Sequence, residues 1–323
     1  MRFDHVGGVV CLGETMVMMV PAEPGPVHLV RTWHRAVGGA ESNVAVHLAR
    51  LGVRSSWVSA VGDDSFGLAV LDAVGGFGVD VSRVRVDPDR PTGLYVKEAS
   101  PHGSPVRYYR RGSAASGMGP EMVDRLGLGS GEVALVHLSG ITAALSDSCL
   151  EMMRELLRRP RHGFRVSFDL NWRPALWTDR DPRVLRELAD SADVVLAGAD
   201  EAELVWGTGD PARLRQLLPG PASLVVKQGA EGATLLEGGE SYFEPALEVE
   251  VVEPVGAGDA FAAGFLAATL AGEAPPVRLR AGHLQAASAL LTAEDVGDPL
   301  PDDVTVPLLH ADPRTWASAR LEV

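Results

Sequence analysis

The chain has 323 residues, 46% of them apolar, and a formal net charge of −14 at pH 7. A chain of this length can hold two domains, although open α/β folds often run as long around one core. So negative a surface repels nucleic acid and anionic membrane, and with no apolar run long enough to cross a bilayer and no signal-peptide pattern over residues 1–10, the expectation is a soluble cytoplasmic protein.

Residues 9–12, an apolar run closing at Gly13, read as the first buried strand. Strand-like pieces at 16–20 and 27–30 are broken by the Pro-rich stretch 21–26, which suits a small antiparallel layer. Helices are expected at 43–51, after Gly38-Gly39, and at 64–74, with a strand at 56–61 between them. Between Pro91 and Gly112 the apolar period changes to two, marking two strands joined by a turn at 101–105. The segments 14–37 and 91–112 can pair into one lid sheet. Alternation puts Arg107, Tyr109 and Arg111 on one face of the second strand, and Tyr95 beside Lys97 in the first, so one face presents phenols and cations. The alternative is that the cations only guard an edge strand against aggregation.

From residue 133 onward strand and helix alternate: 133–138 then 147–158, 164–170 then 182–189, 194–196 then 200–206, and 224–227. This pattern predicts an α/β fold, a doubly wound and mostly parallel sheet flanked by helices, with ligands at the carboxyl ends of the strands. Residues 235–237 and 242–244 around Gly238-Gly239 read as a hairpin, and helices resume at Ala257 and over 278–291. No repeat or boundary divides the chain, so residues 1–323 read as one catalytic domain with its lid; residues 299–323 carry no assignment. Two cysteines, Cys11 and Cys149, are too few for a disulfide framework and read as small buried hydrophobes. The nine histidines show no ligand spacing, so no protein-bound zinc is expected.

The chemistry concentrates in Glu253-Pro254-Val255-Gly256-Ala257-Gly258-Asp259, which lies where a β-branched run turns into an Ala-rich helix. Glycines there expose the first helical amides, and the positive end of the helix dipole makes an anion cradle of Gly256, Ala257 and Gly258. A carboxylate at its mouth, Asp259, opposes phosphate binding but is suited to deprotonating a hydroxyl that attacks the phosphate. The alternative is an ordinary Gly-rich helix start with a first-turn acid. There is no Gly-Lys-Ser/Thr ending of a Walker loop, and a dinucleotide fingerprint would open the fold near the N-terminus.

Residues 254–264 resemble the C-terminal signature of the ribokinase-like (PfkB) carbohydrate kinases. Gly38-Gly39-Ala40-Glu41-Ser42-Asn43-Val44-Ala45, Leu51-Gly52 and residues 61–67 are similar to their N-terminal signature, and the resemblance covers residues 8–298. It implies an ATP- and Mg²⁺-dependent sugar kinase with Asp259 as base and with Gly38, Gly39 and Asn43 on the substrate. Asp169-Leu170-Asn171-Trp172-Arg173 is similar to the family's Asp-x-Asn-x-Arg at the sugar cleft, which implies substrate roles for Asp169, Asn171 and Arg173; a structural Asp169–Arg173 pair is the alternative. Glu201 matches the acid of the family's Asn-x-x-Glu motif near Mg²⁺ and the phosphates, although Gly198 replaces the Asn. Lys227, Gly229 and Gly232 match the Lys-x-Gly-x-x-Gly nucleotide loop. Glu253 replaces the usual Asp in a neighbourhood that can hold a monovalent cation in relatives, which argues against K⁺ activation.

Residues 92–95 and 108–114 are similar to the 2-keto-3-deoxygluconate kinases, where a Tyr and two Arg hold the substrate carboxylate. The resemblance implies an acidic sugar bound by Tyr95, Tyr109, Arg111 and Arg173, in line with the bidentate fit of arginine to carboxylate. A fructokinase or ribose-type kinase is the second reading, and a catalytically silent sugar or nucleotide sensor the third. In the family it resembles, exposed lid sheets often pair between subunits, which implies at least a dimer.

Overall fold

The computed structural model describes residues 1–2, 7–23, 25–97, 106–129, 131–292 and 295–321. The chain opens with β1 (Gly8–Leu12), forms β2 (Met16–Pro21) and β3 (Trp33–Gly38), and enters α1 (Ala40–Arg50). β4 (Ser55–Val58), β5 (Ala60–Gly62), α2 (Ser65–Gly76), β6 (Arg85–Asp87), β7 (Leu94–Lys97) and β8 (Val106–Tyr109) follow. Strands and helices then alternate through β9 (Val133–Ser139), α3 (Gly140–Leu145), α4 (Asp147–Arg158), β10 (Arg165–Asp169) and α5 (Val184–Asp190). The series continues with β11 (Val194–Gly198), α6 (Ala199–Trp206), α7 (Pro211–Leu217), β12 (Ser223–Lys227), β13 (Gly232–Glu237) and β14 (Glu240–Pro245). Helices α8 (Ala257–Leu270), α9 (Pro275–Leu290), α10 (Asp302–Leu309) and α11 (Pro313–Ala317) complete it.

The expected doubly wound sheet is present, in the order β14-β13-β12-β11-β10-β9-β1-β4, parallel except for the β13–β14 hairpin at one edge. Its strands read as apolar runs because both faces are covered. Val9 and Cys11 of β1 enter one core with α1, α8 and α9, while Val10 and Leu12 enter the other with α3, α4 and α5. Local signals set the helix starts: Asp64 caps α2 through Gly67 N at 2.7 Å, and Ser146 caps α4 through Cys149 N at 3.1 Å. Every parallel strand therefore delivers its carboxyl end to the same edge of the sheet.

Over that edge lies a second sheet, β3-β2-β7-β8, built from two separate insertions. The piece expected as a strand at 27–30 is instead a 3₁₀ turn, Val27–Leu29, and the partner of β2 is β3. Pro26, immediately before this turn, has no N–H to give a ladder, and the apolar span at 27–30 is short. The strand expected at 56–61 is split between β4 and β5, which pair in different sheets. Residues 299–323, unassigned from sequence, include α10 and α11, whose Leu309 and Trp316 are buried against the α9 side of the core. The turn expected at 101–105, like Pro24, lies outside the described residues. Among the described residues no helix is long and apolar enough to cross a membrane.

Helix α8 is apolar on nearly every side, and Phe261 and Phe265 stack within it at 6.5 Å. Truncating the fully buried Phe265 to Ala should therefore cost about 3–5 kcal/mol of stability, read as a lower midpoint in urea unfolding at unchanged slope.

Candidate active site

Asp259 sits in the first turn of α8, 8% exposed, one turn after Gly256. Gly256 has φ +85, and its Cα faces the Asp295 carbonyl so closely that a Cβ would not fit. This left-handed turn swings the chain into the helix and leaves the amides of Gly258 and Asp259 with no carbonyl one turn back. The Asp259 carboxylate is gripped from two directions. Asn43 Nδ2, from α1, donates to Oδ2 at 2.9 Å, and Asn171 Nδ2, just past β10, donates to Oδ1 at 3.2 Å. Asn171 alone among the described non-glycine residues has positive φ, +40, in a turn fixed by its own N–H to Asp169 Oδ1 at 3.2 Å. Burial raises the Asp259 pKa to about 7; the Asn43 amide opposes the rise, the Asp169 charge adds to it, and the cations of Arg173 and Lys227 oppose it. A carboxyl group near half-ionised at neutral pH is matched to general-base work.

Behind it lies a cation shared among acids. Lys227 Nζ, at the end of β12, contacts Asp169 Oδ2 at 2.8 Å and Oδ1 at 3.2 Å. The same nitrogen is 3.5 Å from where a Cβ on Gly258 would stand, so the ammonium rests against the start of α8. Burial works against that charge, but Asp169 and Glu201 outweigh it and hold the Lys227 pKa above its usual value. Glu201, in the first turn of α6, accepts from Trp172 N at 3.0 Å and Gly198 N at 3.2 Å, with Arg173 Nη1 at 3.5 Å. Arg173 also donates to the Trp172 carbonyl and is 43% exposed, so the expected alternative of an Asp169–Arg173 pair is replaced by Asp169–Lys227. Gly229, φ +59, is exposed at the turn after β12, while Gly232 is buried where Glu244 O of β14 closes on it. The Lys227 ammonium is engaged by Asp169.

On the smaller sheet, the predicted face is corrected. β7 and β8 pair with Tyr95 opposite Tyr108 and Leu94 opposite Tyr109. Tyr95 is buried, its ring 5.8 Å from that of Tyr108, and its hydroxyl lies 3.4 Å from Asp295 Oδ2. Gly38, before α1, admits that hydroxyl where any side chain would collide, and Gly39 likewise admits the Glu14 carbonyl. Tyr109, by contrast, is 58% exposed, and Arg107 and Arg111 are exposed with it. The inward set is Tyr108 and Arg110. Arg110 is buried with Nε 2.6 Å from Glu14 Oε2 and lies over the Tyr108 ring at 5.5 Å. In Arg107-Tyr108-Tyr109-Arg110-Arg111 both parities carry a Tyr and an Arg, so alternation alone could not choose the face. Sequence reasoning also passed over Glu14 and Asp295; the position of Glu14, two residues past β1 at the carboxyl edge, was the available signal for the first.

A model of the pfkB family carbohydrate kinases matches residues 7–303. The chain belongs to the pfkB family of carbohydrate kinases. This kinase is 38% identical over 300 residues to the 2-dehydro-3-deoxygluconokinase of Thermoproteus tenax, spanning 90% of this chain and 89% of that one. It is 38% identical over 271 residues to the enzyme of the same name from Bacillus subtilis, spanning 81% and 83%. The crystal structure of a PfkB protein from Polaromonas sp. JS666 is 36% identical with a TM-score of 0.80, covering 89% of this chain and 97% of that chain.

If Asp259 is the base of this kinase, its ionised form is the active one, and its raised pKa sets the acid limb. Sugar kcat/KM should rise about tenfold per unit up to a break near pH 7 and then level off. Asp259→Asn should remove that break and lower kcat by at least ~10²-fold while ATP binding, read by calorimetry, survives.

Proposed function

We propose that this protein transfers the γ-phosphoryl group of ATP to the 6-hydroxyl of 2-keto-3-deoxygluconate (2-dehydro-3-deoxygluconate). The observation that carries phosphoryl transfer is Asp259: a base with pKa raised to about 7, held by two amide donors at the open start of a helix. Asp259 takes the hydroxyl proton, the sugar oxygen bonds to the γ-phosphorus, and the bond to the ADP oxygen breaks. Charge developing on the transferring group meets the amides of Gly258 and Asp259 and the Lys227 ammonium, which is free to leave Asp169 in part for the phosphate. Asn171 Oδ1, buried with no partner of its own, is left to accept from a sugar hydroxyl.

Among the described residues no three His, Cys, Asp or Glu side chains converge on an ion. Mg²⁺ is usually held by one or two carboxylates, water and substrate phosphates, and Glu201 fits such a role through water because its oxygens already accept backbone N–H groups. When bound there with ATP, Mg²⁺ would supply neutralisation of phosphate charge. Gly229 and Gly232 we assign to the nucleotide side. ATP supply places the reaction in the cytoplasm, and the whole chain serves as one catalytic domain under its lid.

The acid substrate is supported by the names of the relatives and by Arg173, whose guanidinium is part exposed and only loosely paired. Tyr108 and Arg110 take the places first given to Tyr109 and Arg111. One observation favours a neutral ketose such as fructose: Arg110 is already neutralised by Glu14. A silent sensor would have no use for a base of this pKa. Arg173→Ala should raise KM for 2-keto-3-deoxygluconate at least about tenfold, the loss of a charge-assisted contact, and KM for fructose far less. Arg111→Ala should leave both within about twofold; equal losses on both sugars, or a wild-type preference for fructose, would move the assignment to the second reading.

The exposed lid face bearing Tyr109 and Arg111 suits pairing between subunits, so we expect at least a dimer. Light scattering at micromolar concentration checks this, and a strictly monomeric species would contradict it.

A further inference from the structure

Lys97 ends β7 and leaves the lid sheet to reach the phosphate side of the cleft. Its Nζ lies 2.5 Å from Glu253 Oε2, with the two side chains only 12% and 17% exposed. The other oxygen of Glu253 accepts from Val255 N at 3.3 Å, so one carboxylate ties the lid strand to the segment that runs into the Gly256 turn. On the far side of that turn stands Asp295. Its carbonyl fills the space a Gly256 side chain would need, its Oδ2 meets the Tyr95 hydroxyl, and its Oδ1 is buried without a partner. Burial raises the Asp295 pKa, and the Lys97 charge is the leading influence against that rise, which places the ammonium within electrostatic reach of both carboxylates.

Tyr95 and Lys97 are two residues apart in one strand and so share a face. That face meets Asp295 and Glu253, the two acids that flank the left-handed turn at Gly256. Without a cation between them, both carboxylates would repel each other and the incoming phosphate. The turn that aims the first amides of α8 would lose its brace. Since Lys97 is carried by the lid, the brace depends on where the lid stands.

We propose that Lys97 is a positioning residue for phosphoryl transfer: from the lid, its ammonium neutralises Glu253 and Asp295 and holds the Gly256 turn in the shape that presents the α8 amides. This rests on the phosphoryl-transfer reading of the Asp259 site. Lys97 touches no reacting atom and acts through the turn.

The test compares wild type, Lys97→Ala and Lys97→Met, each assayed with ammonium, potassium or the bulkier tetramethylammonium chloride at equal ionic strength. Lys97→Ala should lower kcat about tenfold to a hundredfold, the scale of a small misplacement at the reacting centre, with sugar KM changed by less than about threefold. Ammonium or potassium, entering the vacated space between two carboxylates, should restore much of that loss, and tetramethylammonium should not. Lys97→Met fills the space without charge, so it should lose turnover and resist rescue. Amide hydrogen exchange over residues 254–258 should quicken in both variants and slow again with ammonium only in Lys97→Ala. Lys97→Ala turnover within about twofold of wild type, a loss that no small cation restores, or unchanged exchange over 254–258 would each overturn the proposal. The exchange measurement needs no turnover. A wild-type enzyme that phosphorylates no sugar would instead overturn the kinase reading and leave the exchange result to judge the brace.

Discussion

Burying the Asp259 carboxylate against the start of α8 is energetically opposed from one side and favoured from another, and much of the molecule serves that balance. Desolvation pushes its pKa up and the Asp169 charge adds to the rise, while the Asn43 amide and the cations of Arg173 and Lys227 pull it back, leaving it at about 7. Loss of the Asn43 amide would let the pKa of this carboxyl rise further. The two asparagines come from unrelated places, Asn43 from the first turn of α1 and Asn171 from a strained turn after β10. Only a fold that gathers strand ends and helix starts at one edge can hold them to a common point. The left-handed backbone of Asn171 is the kind of local strain that persists because surrounding contacts over-determine it.

The same edge resolves an electrostatic conflict. In a chain with net charge −14, Lys227 and Arg173 gather positive charge near the open end of α8. In the structure these cations are occupied in part by Asp169 and Glu201. Such pairing keeps partly buried charges compensated, since an unpaired buried charge is costly. The smaller sheet adds a second layer of paired charge: Arg110, just past β8, with Glu14, just past β1, and Lys97, at the end of β7, with Glu253 on the segment that runs into the Gly256 turn. The smaller sheet is thereby tied by ion pairs both to the chain just past β1 and to the segment that precedes α8.

Much of this was legible in the chain alone, because the relevant signals are local. Apolar runs and helical spacing located most strands and helices, and the Gly-rich turn before an Ala-rich stretch located the start of α8 with Asp259 in its first turn. Apolar period, capping residues and glycine turns act within a few residues of themselves and so can be read in one dimension. Tertiary packing decided what local patterns leave open. The phase of β8 was ambiguous in a run where both parities hold a Tyr and an Arg, and pairing with β7 turned Tyr108 and Arg110 inward. The direction of Lys227 was likewise open, because a long flexible side chain goes to the strongest buried charge within reach, here Asp169. Asp295 and Lys97 reach the Gly256 turn from segments about forty and one hundred and sixty residues away from it, and no spacing rule links such positions. Sequence by itself determined most of the elements and the glycine turn that opens α8, since these depend on neighbours along the chain. Which side chains meet there was decided by the folded structure, since that depends on register, burial and charge between segments the chain keeps far apart.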